Sequence, residues 1–194
     1  MSTPVFVRAD ARQRLLARRA AQGEHERQSD AQLLLPVLAA LVAELTGRLS
    51  ERGDGAPPVI GAYWPIRGEL DLRPLFATWP CVALPQVVAR DAPLAFRRWT
   101  GHDAMVAGAF GIAEPTSGEL LLPDLILIPC LGYFFDKAGR VYRLGYGGGF
   151  YDRTLAVRQV QTVGIAYDWA EAPDCQPAAH DVALDYLLTP HRRI

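Results

Sequence analysis

Leu34, Leu38, Leu41, Leu45 and Leu49 recur at spacings of four and three. That period lines them along one face of an α-helix. Ser29 and Asp30 stand ahead of the stripe as candidate caps. Pro36 is expected within the first turns, because a proline deep in a helix removes a hydrogen bond and clashes with the preceding turn. Upstream, residues 7–22 (VRADARQRLLARRAAQ) are good helix formers free of Gly and Pro, and Gly23 ends them. Arg8 and Arg12 are four apart and share a face of that first helix. After the loop ERGDGAPP (51–58) the period changes. Strands are expected at 59–65, 81–87, 94–99, 124–129, 161–168 and 185–190, with helical stretches at 70–79 and 151–160. The apolar run after Asp124 suits a strand buried on both faces. Helices alternating with strands predict an α/β layered fold, with a mainly parallel central sheet flanked by helices and preceded by N-terminal helices.

The 194 residues, half of them hydrophobic, suit a single domain over 1–194. Twenty basic and 21 acidic residues leave a net charge of −1. That balance argues against nucleic acid as a partner and leaves room for a local phosphate site. Cys81, Cys130 and Cys175 form no CxxC or Cys/His cluster, which argues against zinc and fits a reducing compartment. No apolar run approaches membrane-spanning length and no signal-peptide core is evident, so a membrane role is not expected. The Arg-rich first 22 residues are read as an amphipathic helix rather than a transit peptide. The expectation is a cytoplasmic protein, monomeric or weakly oligomeric.

The densest chemistry lies in RLGYGGGFYDRTL, Arg143–Leu155, with glycines at 145, 147, 148 and 149. Phe150 stands where a dinucleotide fingerprint beginning at Gly145 needs a last glycine, and the preceding strand ends near Pro129. No Gly-Lys-Ser/Thr follows, so this is not a P-loop either. Glycines can still expose consecutive backbone amides as an anion nest. Arg143 and Arg153 bracket the loop, and Asp152 suits a metal ion accompanying phosphates. The other reading is a flexible surface turn with Asp152 paired to an arginine. The framing aromatics and charges favour the anion site. No nucleophile constellation is evident. Cys130 reads as a small buried residue with no histidine placed to activate it.

RLGYGGGFYDRTL resembles the signature of the 5-formyltetrahydrofolate cyclo-ligase family. YWPIRGELDLRPL (63–75), LPQVV, LAFRRW, FGIAEP (110–115), DLILIPCLGYFFD (124–136), VGIAYD and HDVALDYLLTP are similar to further family segments, in the family's order. The resemblance implies an ATP-dependent, magnesium-requiring α/β enzyme that converts 5-formyltetrahydrofolate to 5,10-methenyltetrahydrofolate. It implies that Arg8, Arg12 and the loop Gly145, Tyr146, Gly147, Gly148, Gly149, Phe150 and Tyr151 hold ATP, and the bracketing Arg143 is counted with them. It assigns Glu69 and Trp64 to the folate, and Asp152 and Asp181 to Mg2+. Arg8 stands where the family often carries Lys, and Gly148 where some relatives do. The segment GYFFDKAGRVYRLG is longer than the family's usual version. Asp185 is a rival to Asp181 for the metal, and His180 could touch phosphate or order its loop. Two other readings are a non-catalytic nucleotide- or folate-binding regulator and an Arg-helix nucleic-acid module, which the charge balance disfavours.

Overall fold

The computed structural model describes residues 4–50 and 55–194. The first part of the expected ERGDGAPP loop and the first three residues of the Arg-rich segment lie outside the described residues. Helices α1 (Pro4–Ala21) and α2 (Glu24–Ser50) open the chain. There follow β1 (Ile60–Gly61), α3 (Arg73–Phe76), β2 (Val82–Gln86), β3 (Ala95–Trp99), β4 (Met105–Ala107), β5 (Ala113–Pro115) and β6 (Leu120–Leu121). The second half comprises β7 (Leu125–Pro129), β8 (Gly132–Phe135), β9 (Val141–Leu144), α4 (Phe150–Ala156), β10 (Gln161–Ile165) and β11 (Tyr186–Leu188).

The leucine stripe is real, but α2 begins before its expected cap. It starts directly after Gly23, and Asp30 instead accepts a hydrogen bond from Gln22 Nε2 at 2.8 Å, bracing the turn between the helices. Pro36 lies well inside the helix, contrary to expectation. An interior proline costs about 3 kcal/mol. Leu34, Leu38, Leu41 and Leu45 are fully buried, at roughly 2 kcal/mol each. Packing therefore outweighs the proline, whose ring is on the exposed side. The expectation that no segment reaches membrane-spanning length also fails. Glu24–Leu49 is long and apolar enough by length and composition, with mean hydropathy 1.5 over its best window. Its leucine stripe packs into the same core as the sheet.

Seven strands form one sheet in the order β11-β10-β7-β1-β2-β3-β6. From β11 to β2 every neighbouring pair is parallel, and β3 and β6 add antiparallel strands at one edge. The expected mainly parallel sheet is thus present. Ile60, Leu125, Ile126, Leu127, Ile128 and Val163 are fully buried, as strands covered on both faces require. The helix expected at 151–160 stops at Ala156, where the next residue, Val157, is exposed and has no face to continue. The long segment GYFFDKAGRVYRLG forms a hairpin, with Tyr133 opposite Arg143 and Phe134 opposite Tyr142. A second hairpin pairs β4 with β5, Val106 opposite Glu114.

The chain runs from β1 to β2 on one side and later returns through β7 on the other. The sheet order therefore reverses between β1 and β7. Open α/β sheets hold ligands outside the carboxyl ends of their strands at such a reversal.

Candidate functional site

The segments leaving the carboxyl ends of β1, β2 and β7 contribute to a cleft of about 340 Å³, closed over by α1, the glycine loop and the β4–β5 turn. Every residue that the family resemblance assigned to ATP, folate or Mg2+ lines it. Arg8, Arg12, Arg143, Asp152, Asp181 and the loop 145–149 share it with Trp64, Glu69, Phe150 and Tyr151. Residues from both ends of the chain converge there, which sequence spacing alone does not require.

One part of the cleft is basic. Arg12 Nε donates to Gly145 O at 2.8 Å and so ties α1 to the glycine loop. Burial, and then the charges of Arg8 and Arg143, pull the Arg12 guanidinium below its ordinary value. It remains cationic, in a field that favours an incoming anion. Gly147 and Gly149 have φ of +99° and +68°, which L side chains rarely adopt. Gly149 caps the short α4, and a Cβ there would lie 2.7 Å from Arg153 Nη1. Gly149→Ala is accordingly expected to cost about 1–2 kcal/mol. In a domain of this size that lowers the melting temperature by roughly 2–8 °C, readable by scanning calorimetry.

Arg143 Nη2 donates to Asp152 Oδ2 at 3.1 Å, and its guanidinium lies over the Tyr151 ring, 5.1 Å from the centroid. Arg8 makes a two-pronged pair with Asp181 and also donates to Gln176 O at 2.6 Å. Burial raises the Asp181 carboxyl, but hydrogen bonds from Arg8 and from Ala178 N outweigh it and hold the group below the ordinary carboxylate range. A lowered folded-state value stabilises the fold above the unfolded value of about 3.9 and ceases to do so as pH falls through the folded value. Asp181→Asn should therefore flatten the acid limb of a melting-temperature-versus-pH curve below about pH 4. An unchanged acid limb would remove this tether from the acid stability.

Arg153 does not bracket the cleft as its position in sequence suggests. It donates to Arg90 O at 2.8 Å, Gly148 O at 3.0 Å and Ala92 O at 3.3 Å, stapling the glycine loop to the segment after β2. Asp185 is likewise structural, accepting from Thr162 N and Oγ1 at 2.8 Å each, between β10 and β11. Cys130 is buried, and burial pushes its thiol up to about 12, which excludes a resting thiolate. His180 reaches the cleft but is largely exposed, its Nε2 3.8 Å from Asp181 Oδ1.

The other part of the cleft is apolar and carries two buried carboxyls. Glu69 Oε2 accepts from Ile66 N at 3.0 Å and Oε1 accepts from Tyr146 Oη at 2.9 Å. Tyr146 in turn accepts from Arg19, which is 2% exposed and also donates to Cys130 O at 2.7 Å. Burial raises the Glu69 carboxyl above its ordinary value, against the lowering effect of these bonds. Trp64 is half-buried, edge-on to Trp99 with Arg73 above its ring, and forms part of the wall.

The second buried carboxyl is Glu114, and with Arg19, Arg67 and Phe110 it was not singled out from sequence. Arg19 continues the helical row Arg8, Arg12, Leu15, so the spacing held a signal for it. Phe110 and Glu114 sit on an irregular turn and a short strand with no periodicity to expose them.

Among the described residues no group of three or more His, Cys, Asp or Glu gathers as a metal site. A magnesium ion that arrives with phosphates needs only one or two carboxylates, the rest of its shell being water and phosphate oxygen. Asp152 fits that role, with one oxygen on Arg143 and a side chain 20% exposed. Asp181 fits it less well: both oxygens already accept protein hydrogen bonds and the side chain is 7% exposed.

An open α/β sheet with a ligand cleft at its reversal point, part basic and lined by the glycine loop, part apolar with carboxyls, defines the class of protein. A sequence model of the 5-formyltetrahydrofolate cyclo-ligase family matches residues 58–190, and the chain belongs to that family of enzymes. It is 39% identical over 100 residues to the 5-formyltetrahydrofolate cyclo-ligase of Mycolicibacterium smegmatis, covering 46% of this chain and 48% of that one. It is 32% identical over 154 residues to the 5-formyltetrahydrofolate cyclo-ligase of Escherichia coli K12, covering 70% of this chain and 82% of the relative. The matches to the Mycolicibacterium smegmatis and Haemophilus influenzae relatives span about half of those proteins' lengths, 48% and 53%. The fold is similar to the NMR structure of Aquifex aeolicus 5,10-methenyltetrahydrofolate synthetase, with TM-score 0.73 and 27% identity over 96% of this chain and 91% of that one. It is also similar to the 5,10-methenyltetrahydrofolate synthetase of Mycoplasma pneumoniae, with TM-score 0.68 and 25% identity over 95% and 99%.

Proposed function

We propose that the protein converts 5-formyltetrahydrofolate to 5,10-methenyltetrahydrofolate at the expense of ATP, releasing ADP and phosphate. The observation that carries this reading is the meeting, in one cleft, of a part lined by guanidinium groups and the glycine loop with an apolar, carboxyl-bearing part. The first suits a polyphosphate, and the second suits a flat heterocycle edged with N–H donors.

The chemistry explains why both are needed together. The N5-formyl group is an amide, with a poor electrophilic carbon and a poor leaving group. Its oxygen attacks the γ-phosphorus of ATP, and ADP departs. The iminium carbon so formed is attacked by N10, which loses its proton. The N5 lone pair then expels phosphate, which carries away the former formyl oxygen. The protein's task is to align oxygen and phosphorus and to offset charge. Arg8, Arg12, Arg143 and the amides of the 145–149 loop act on the phosphates. Glu69 accepts from the heterocycle while Tyr146, Ile66 N and Arg19 hold it in place. Trp64, Phe150 and Tyr151 exclude water from the reacting groups. Asp152, and less directly Asp181, would hold Mg2+, which would supply further neutralisation of the transferring phosphoryl group. No covalent protein intermediate is required, in keeping with the buried, protonated Cys130.

The test is a spectrophotometric assay for methenyl product with ATP and magnesium omitted in turn. The expected result is product only when both are present. Binding of either substrate without turnover in the complete mixture would instead make the protein a regulator.

A further inference from the structure

We infer that Glu114 is a second substrate-reading carboxyl, which accepts N–H donors from the aminopyrimidine edge of the folate and so helps set specificity for it. This rests on the folate reading of the cleft. Glu114 lies on β5, is 5% exposed, and lines the cleft among Pro85, Val87, Leu94 and Ile112. Among the described residues its one side-chain hydrogen bond is a long one, from Val87 N to Oε1 at 3.3 Å. Among the described residues no arginine, lysine or histidine forms an ion pair with it. A buried carboxyl is costly unless it is hydrogen-bonded or paired. Glu69, by contrast, has each oxygen engaged by a protein donor. Glu69 keeps a lone pair on each oxygen for the heterocycle, and the larger acceptor capacity left over in this part of the cleft is that of Glu114.

The local backbone is built around this side chain. A Cβ on Gly108 would lie 2.2 Å from Glu114 Cδ and within 2.6 Å of both carboxyl oxygens. Gly108 has an ordinary φ of −83°, so its lack of a side chain is needed for space and not for conformation. The carboxyl is seated flat against bare backbone, held in place by the β4–β5 hairpin. Such a seat gives a ligand a fixed acceptor, which is what discrimination between donor and acceptor edges requires. It also repels the folate's own carboxylates, which fixes the heterocycle, and not the glutamate tail, at this part of the cleft.

The experiment titrates 5-formyltetrahydrofolate and ATP separately onto the wild type, Glu114→Gln and Gly108→Ala, with melting temperatures measured alongside. Glu114→Gln keeps the shape and is expected to weaken folate binding roughly ten- to hundredfold, leaving ATP affinity within about twofold. In turnover the loss should fall on KM for the folate rather than on kcat. Gly108→Ala keeps the carboxyl but displaces it, and should weaken folate in the same direction. Folate affinity unchanged in Glu114→Gln overturns the inference, as does an equal loss of both ligands, which marks a structural role. A wild type that binds no folate removes the underlying reading itself and is distinguishable from either result.

Discussion

Asp152→Asn is expected to lower turnover of 5-formyltetrahydrofolate by about 10²–10³-fold, the scale on which single charge-stabilising groups act in transition states. The melting temperature should move little. The Arg143–Asp152 pair is part-buried at 3.1 Å, and an amide of the same shape can still accept from Arg143. Loss of such a pair's charge is worth about 1 kcal/mol or less, or roughly 2–4 °C here. The separation between a large kinetic loss and a small thermal one carries the argument. It would mark a carboxylate whose value lies in bound phosphates and metal and not in the empty fold. Steady-state rates against magnesium concentration and a thermal melt check it together. An undiminished rate at saturating magnesium would remove Asp152 from the site chemistry.

Glu69→Gln is expected to weaken folate binding by roughly ten- to hundredfold, since hydrogen bonds to a charged acceptor are worth more than neutral ones. Nucleotide affinity should be nearly intact, because among the described residues Glu69 is hydrogen-bonded to the glycine loop through Tyr146 Oη alone. The wild type adds a pH signature. Burial raises the Glu69 carboxyl, so its ionised fraction falls at a higher pH than that of an ordinary glutamate. Folate affinity should therefore decline on acidification before an ordinary glutamate would titrate, and that limb should be missing from the Gln variant. Titrations with each ligand across the acid range read both effects. Equal loss of the two ligands would indicate disturbance of the Arg19–Tyr146–Glu69 network instead.

The layered parallel sheet was legible because buried strands such as Leu125–Pro129 announce themselves by unbroken apolar runs. The leucine stripe of α2 was legible for the same reason, since a period of 3.6 survives local exceptions. Pro36 was misjudged because helix propensity is a local quantity, while the burial that overrides it is set by the whole core. The hairpin at 132–144 was not among the expected strands, because its strands are four residues each and its turn is polar. The glycine loop and its acid stood out as a dense local run, which by itself left an anion site and a surface turn both open. The direction of Arg153 was not legible, since proximity in sequence says nothing of which carbonyls a long side chain will find. Glu114 stayed hidden for a related reason. Its seat depends on Gly108, six residues away across a turn, and on Val87 from another strand's end.

The path of a single oxygen atom tests the account most directly. Substrate labelled with oxygen-18 in the formyl group is turned over with unlabelled ATP, and the released phosphate is weighed by mass spectrometry. Transfer of the γ-phosphoryl group to the formyl oxygen predicts one heavy oxygen in each phosphate for each methenyl product formed. Phosphate that emerges unlabelled, with the heavy atom left in water, would contradict it.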